Sequence, residues 1–131
     1  MFIERKIPKT IESGNKFTAW SIKGNPAIAR FRYTNYRNKW YDAMRLFPME
    51  RTVKEWRRVE IVRVMKKGAR PFDDCNLRQG CKPIHDALKK RGYLYDDSPA
   101  WMECSYSQIK LVEAKNYDPK IEPCTIIRVW K

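Results

Sequence analysis

Two pairs of adjacent aspartates, Asp73-Asp74 and Asp96-Asp97, stand out in a chain that is otherwise strongly basic. A divalent ion such as Mg²⁺ needs hard oxygen donors converging on one point, because it prefers carboxylates and water and keeps several of its waters. Such an ion hydrolyses phosphodiesters by polarising the phosphate and lowering the pKa of an attacking water. Two acidic pairs repel each other and any polyanion, and a bound metal removes that repulsion. The same residues also have a plainer reading, in which Asp73 or Asp74 caps a helix and Asp96-Asp97 favours a turn.

The elements that must position these carboxylates can be read from periodicity. Residues 73–91 (DDCNLRQGCKPIHDALKKR) place Leu77, Cys81, Ile84 and Leu88 at steps of four, three and four, an apolar stripe along one side of a helix. Gly92 is a natural stop. Pro83 removes a backbone donor within the pattern, so the helix is expected either to kink there or to begin properly only after Gly80. Residues 56–65 (WRRVEIVRVM) are dense in β-branched side chains and predict a strand buried mostly on one face, closed by a turn at Lys66-Lys67-Gly68. Residues 93–95 predict a short strand running into an Asp96-Asp97-Ser98-Pro99 turn. Residues 101–112 predict another strand, bent at Ser105 or Ser107, and 124–130 (CTIIRVW) the last one. Strand, helix and strand in succession are expected to return both acidic pairs to the same end of the fold.

The first fifteen residues read as a short extended opening and a loop around Pro8, Gly14 and Asn15. No element is assigned from 17 to 33, where small, basic and aromatic residues alternate irregularly around Gly24 and Pro26, a pattern that allows mobility without a ligand. Residues 36–47 predict a helix from Trp40, Met44 and Phe47, with Asn35 as its cap and Pro48 as its end. Three strands with two helices between and around them make an α+β domain with a small mixed sheet packed by helices. With 131 residues, the chain is expected to form one domain, residues 1–131.

Twenty-eight basic against fifteen acidic residues give a formal net charge of +13, a field that seeks a polyanion, nucleic acid first. A membrane surface is disfavoured, because there is no apolar run near ~18 residues and no lipidation signature. The opening Met1-Phe2-Ile3-Glu4-Arg5 lacks the apolar stretch of a secretory signal, so an intracellular, cytoplasmic protein is expected. The four cysteines form no C-x-x-C pair, and His85 is the only histidine. Structural zinc is therefore disfavoured, and the cysteines other than Cys75 are expected as small core fillers.

The stretch DDCNLRQGCKPIHDALKKRGYLYDDSP resembles the core signature of RusA-type Holliday junction resolvases, above all the phage relatives with the pattern D-x-D-N-L-R-x-G-x-K-P-x-x-D-x-L followed by D-D-S-P. The likeness covers Asp73 to Pro99, with a basic strand before it and WMECSYSQIKL after it. It implies a metal-dependent endonuclease that resolves four-way DNA junctions, using Mg²⁺ or Mn²⁺, as a homodimer in the cytoplasm of a bacterial host, encoded by phage or prophage. It also implies that Asp73 and Asp97 bind metal and that Lys82 contributes to catalysis, with Asn76, Asp86 and Asp96 around them. One departure matters: the second aspartate of D-x-D-N falls on Cys75, and a thiol is a poor Mg²⁺ ligand. Asp74 stands beside the vacated position as its substitute.

In this reading Asp73, Asp74 and Asp97 hold the metal, and Lys82 offsets charge on the phosphoryl oxygens. The plainer alternative pairs Lys82 with Asp86 on an exposed helix face. Asp86 otherwise orients Lys82 or a water, and His85 is expected as a partly buried helix residue rather than a base. Trp40, Trp56, Trp101 and Trp130 are expected in the core. Trp20 and the Phe31, Tyr33, Tyr36 run, interleaved with Arg30, Arg32 and Arg37, are candidates for contacting DNA, joined by Lys66, Lys67, Arg70 and Arg78 near the acidic cluster. A chain that binds branched DNA without cutting it is the alternative that Cys75 motivates. A third reading is a basic RNA-binding or structural protein without metal.

Overall fold

The computed structural model describes residues 2–17 and 25–131. Strand β1 (Phe2–Ile7), helix α1 (Pro26–Ala43), strand β2 (Arg57–Met65), helices α2 (Asp74–Gly80) and α3 (Lys82–Lys90), strand β3 (Met102–Lys110), the short helix α4 (Leu111–Ala114) and strand β4 (Cys124–Trp130) follow in that order. Single 3₁₀ turns occupy Gly14–Phe17 and Met44–Leu46.

Alternation in β2 and β4 explains the sheet. Val59, Ile61, Ile127 and Val129 point to one face and are all but fully buried, as expected of β-branched side chains on a pleated surface. The strands lie in the order β1-β4-β2-β3. β4 is antiparallel to both β1 and β2, whereas β2 and β3 are parallel, with Ile61 opposite both Ile127 and Tyr106. The domain is thus α+β with a four-stranded mixed sheet, in which the opening segment, read from sequence as a short extended entry, pairs along its whole length with β4.

Trp40, Met44 and Phe47 from the first helical region meet Ile84 and Leu88 of α3 on that face, closed by Tyr93 and Leu94. The opposite face carries a smaller cluster of Val64, Cys124, Ile126, Ala114 and Ile121. There Arg128 sits between its register partners Glu4 and Glu60, at 2.7 Å from the Glu4 carboxylate and in hydrogen-bond contact with Glu60.

The helix expected at 36–47 begins ten residues earlier. Asn25, not Asn35, is the cap: its side chain accepts from the Ala27 and Ile28 N–H groups, and Pro26 opens the helix. The first half was illegible because it buries little beyond Ala29 and leaves Ile28 and Phe31 in solvent. The stripe of Leu77, Cys81, Ile84 and Leu88 is buried throughout. Its helix breaks at Cys81, and α3 restarts with Pro83 in its first turn, where a missing N–H costs nothing. Residues 93–95 form no strand; Tyr93 and Leu94 are buried in irregular backbone, held by Tyr93 N–H to Leu88 O and the Tyr93 hydroxyl to Pro48 O. β3 runs without a break through Ser105 and Ser107.

Among the described tryptophans only Trp40 is fully buried. Trp56 is 51% exposed. Trp101 and Trp130 are half-buried at the sheet ends, against Tyr95 and Phe2 respectively.

Candidate functional site

The loop between β2 and α2 is held in place by one side chain of β3. Gln108 faces the helices together with Cys104 and Tyr106, and its amide pairs with both backbone polar groups of Phe72: the Phe72 N–H donates to Oε1 and Nε2 donates to the Phe72 carbonyl, each at 2.9 Å. Arg63, buried on β2, donates to the same Oε1 at 2.7 Å and to the Arg70 carbonyl. Its guanidinium carbon lies 3.6 Å from the centroid of the Phe72 ring, a stacked cation–π contact. The backbone that delivers Asp73 and Asp74 is therefore fixed up to the residue before them.

Asp73 is the cap of α2. Its Oδ1 accepts from the Asn76 N–H and its Oδ2 from the Asn76 side-chain amide, both at 2.8 Å. The spacing of Asp73 and Asn76 is thus a bracing device that turns the carboxylate toward its own helix and leaves it exposed. Asp74 is exposed and ion-paired with Arg78 at 3.0 Å. It lies on the rim of a cleft of about 450 Å³ that also meets Phe72, Leu77, Tyr106 and Gln108. Cys75 is exposed and accepts a weak hydrogen bond from Gln79.

The second acidic pair lies elsewhere. Because β2 and β3 are parallel, the loop that leaves β2 lies beside Gln108, near the end of β3, whereas Asp96 and Asp97 precede its start. Lys89 bridges them, 3.2 Å from Asp96 and 3.8 Å from Asp97. Hydrogen bonds from Ser98 and Lys89 hold the Asp96 carboxyl down to about 2. The expected return of both pairs to one end of the fold does not occur, for a parallel crossover carries the chain to the opposite end. Among the described residues no group of three His, Cys, Asp or Glu side chains could hold one metal ion.

A polar row nevertheless runs between them. Arg78, paired with Asp74, has its guanidinium carbon 5.3 Å from the Tyr106 ring centroid. The Tyr106 hydroxyl lies 2.9 Å from His85 Nε2, a hydrogen bond whose direction follows the ring tautomer, and the two rings are parallel. His85 is buried on α3, as predicted, and burial pushes its pKa down to about 4 against the opposing pull of Asp97. Burial likewise raises the Tyr106 phenol and pushes the Cys104 thiol up to about 11. Tyr106, Gln108, Arg63 and Phe72 were not singled out from sequence. The signal was available in the period of two that puts Cys104, Tyr106 and Gln108 on the helix-facing side of a strand, where polar side chains need partners.

Lys82 opens α3 as an exposed side chain and makes no ion pair with Asp86. Asp86 is half-buried and its charge acts on Tyr33 and Tyr41 of α1. Lys66 and Lys67 are exposed in the turn after β2, and Arg70 is exposed just before Phe72. Arg30 and Arg32 project from α1, whereas Arg37 is half-buried with its guanidinium 5.6 Å from the Tyr41 ring centroid. Phe31 is 74% exposed, Tyr33 half-buried and Tyr36 buried. The Tyr36 hydroxyl serves the core, bonding Gly80 and Glu12, while its ring lines a cavity beside α1. Trp20 lies outside the described residues.

Neither a protein-family model nor a curated protein matches this chain. No helix among the described residues is long and apolar enough to cross a membrane.

Proposed function

We propose that this chain is a RusA-like endonuclease that binds branched DNA and cuts it with Mg²⁺ or Mn²⁺. The observation that carries the reading is the adjacent, exposed pair Asp73 and Asp74, the second of them at a cleft rim, on a backbone clamped by Gln108 and Arg63. Mg²⁺ is commonly held by one or two carboxylates together with substrate phosphates rather than by an all-protein cage. Asp73 and Asp74 fit that requirement, whereas a single site shared with Asp97 does not match the separation of the two acidic loops. When bound, the metal supplies polarisation of the scissile phosphate and an acidified water.

The chain's own residues do the rest. Asn76 fixes the Asp73 carboxylate. Lys66, Lys67 and Arg70 on one side of the acidic pair, and Lys82 beyond it, attract phosphates. Lys82, which makes no ion pair among the described residues, offsets charge that builds on the phosphoryl oxygens. Asp96 and Asp97, with Lys89, form a separate acidic loop facing His85. A two-fold dimer suits a four-way junction, which offers two symmetry-related strands, and a bacterial cytoplasm with a phage or prophage origin is the setting proposed.

Two observations favour a second reading, binding of branched DNA without cleavage: Cys75 stands where the motif has an aspartate, and among the described residues no third ligand-bearing side chain forms a metal-holding group with Asp73 and Asp74. The deciding experiment compares a labelled four-way junction with a linear duplex of the same sequence in Mg²⁺, Mn²⁺ and EDTA, for wild type, Asp74→Asn and Asp97→Asn. Paired metal-dependent nicks on the junction that vanish in Asp74→Asn support the nuclease. Junction binding without nicks in either metal, with cleavage created by Cys75→Asp, supports the binding-only reading. Equal affinity for junction and duplex with no cleavage sinks both.

A further inference from the structure

A strongly positive cavity lies between α1 and the 3₁₀ turn at Gly14–Phe17. It has a volume of about 250 Å³, and four cations line it, Lys9, Lys16, Arg32 and Lys39, against the single carboxylate of Glu12. Glu12 is already shared with Lys16 at 3.7 Å. Arg32 and Lys39 make no ion pair among the described residues.

Lys9 is half-buried, its ammonium 5.6 Å from the Tyr36 ring centroid and 5.8 Å from that of Trp40. Burial lowers its pKa, with Glu12 opposing and Lys39 adding to the fall. Cations gathered in a concave, partly dehydrated place repel one another unless an anion joins them. On the wall of the same cavity stands Phe31 of α1, 74% exposed. An exposed aromatic ring beside phosphate-binding cations is the pairing that single-stranded nucleic acid uses, backbone on the cations and base on the ring.

We propose that this cavity receives one unpaired nucleotide of DNA, its phosphate among Lys9, Arg32 and Lys39 and its base against Phe31. The size favours a single nucleotide over a duplex, since the space corresponds to about eight water molecules. Only an unpaired base offers a free face to the ring. The inference rests on the reading of this chain as a DNA-binding protein, but not on cleavage.

The test is fluorescence anisotropy of a labelled oligothymidylate of about 12 nucleotides, a span that covers one such site, against a hairpin duplex, in EDTA. The full chain is compared with Phe31→Ala, with the double variant Arg32→Ala/Lys39→Ala, and with Lys115→Ala/Lys120→Ala, which removes the same charge from an exposed region elsewhere. All five positions are exposed, so folding is not at issue. Phe31→Ala should weaken single-strand binding by roughly 5- to 100-fold and leave duplex binding within about threefold. The Arg32/Lys39 variant should lose at least ~10-fold and flatten the salt dependence of single-strand binding by about 1.4 in log–log slope, with the control pair well short of that.

Equal losses in the two double variants, or an unchanged Phe31→Ala, overturn the site. The same dependence seen only with oligouridylate overturns the assignment to DNA. Loss of junction cleavage in Asp74→Asn with this binding intact leaves the site standing, whereas cleavage that persists with no effect of Phe31 or Lys39 on binding removes the site and spares the nuclease.

Discussion

The hydroxyl of Tyr36 donates to the carbonyl of Gly80 at 2.7 Å and accepts from the Glu12 N–H at 3.1 Å, so one phenol on α1 joins the opening loop to the break between α2 and α3. The break creates the need. Three residues after Gly80 stands Pro83, which has no N–H, and the Ile84 N–H goes to Cys81. Burial raises the phenol's pKa strongly, which keeps the donor proton in place.

Tyr36→Phe should therefore cost more than an ordinary hydrogen bond, because it strands a buried carbonyl. A loss of about 1–3 kcal/mol in urea unfolding is expected. A loss below about 0.5 kcal/mol would mean that the break relaxes to find another donor.

Asp73 carries two roles that substitution can separate. Asp73→Ser keeps a capping oxygen for the Asn76 N–H, so stability should stay within about 0.5 kcal/mol, whereas Asp73→Ala should lose about 1 kcal/mol with the cap. Metal-dependent junction cleavage should vanish in both. Cleavage that survives in Asp73→Ser would confine Asp73 to capping.

Much of this arrangement was legible because it is periodic. The stripe from Leu77 to Leu88 and the β-branched runs of β2 and β4 declare which face is buried, and Pro83 marks the break within two residues of its position at Cys81. The first half of α1 was not legible, since a helix that leaves Ile28 and Phe31 in solvent has no stripe to read. The meeting of the two acidic pairs failed for a topological reason: spacing does not say whether β3 will pair parallel or antiparallel with β2, and parallel pairing sends Asp97 to the far end. The clamp of Gln108 on Phe72 spans 36 residues, beyond any local pattern.

Gln108→Leu keeps the size of the side chain and removes both partners of Phe72 as well as the acceptor for Arg63. Leaving these groups unpaired should destabilise the fold by roughly 2–4 kcal/mol. Cleavage should fall by more than tenfold under conditions where the variant is still folded, because the loop before Asp73 loses its anchor. Full activity at reduced stability would show that the clamp serves the fold alone.

His85 makes a pH dependence that can be signed. Its folded pKa of about 4 lies below the ordinary 6.5, since burial disfavours the charged ring and the attraction of Asp97 only partly offsets this. The unfolded chain therefore binds the proton more readily, and stability is full above about pH 6.5, declines as the pH falls toward 4, and loses nothing more from this residue below that. The loss over that window should be on the order of 3 kcal/mol. In His85→Gln, which can still bond the Tyr106 hydroxyl, the decline between pH 6.5 and 4 should be shallower than in wild type. Asp97→Asn should make it steeper, because the one charge that favours the imidazolium is gone. Urea unfolding of the three proteins at pH 7, 5.5 and 4 measures this, and parallel profiles would show that the His85 ring takes up its proton without leaving its place beside Tyr106.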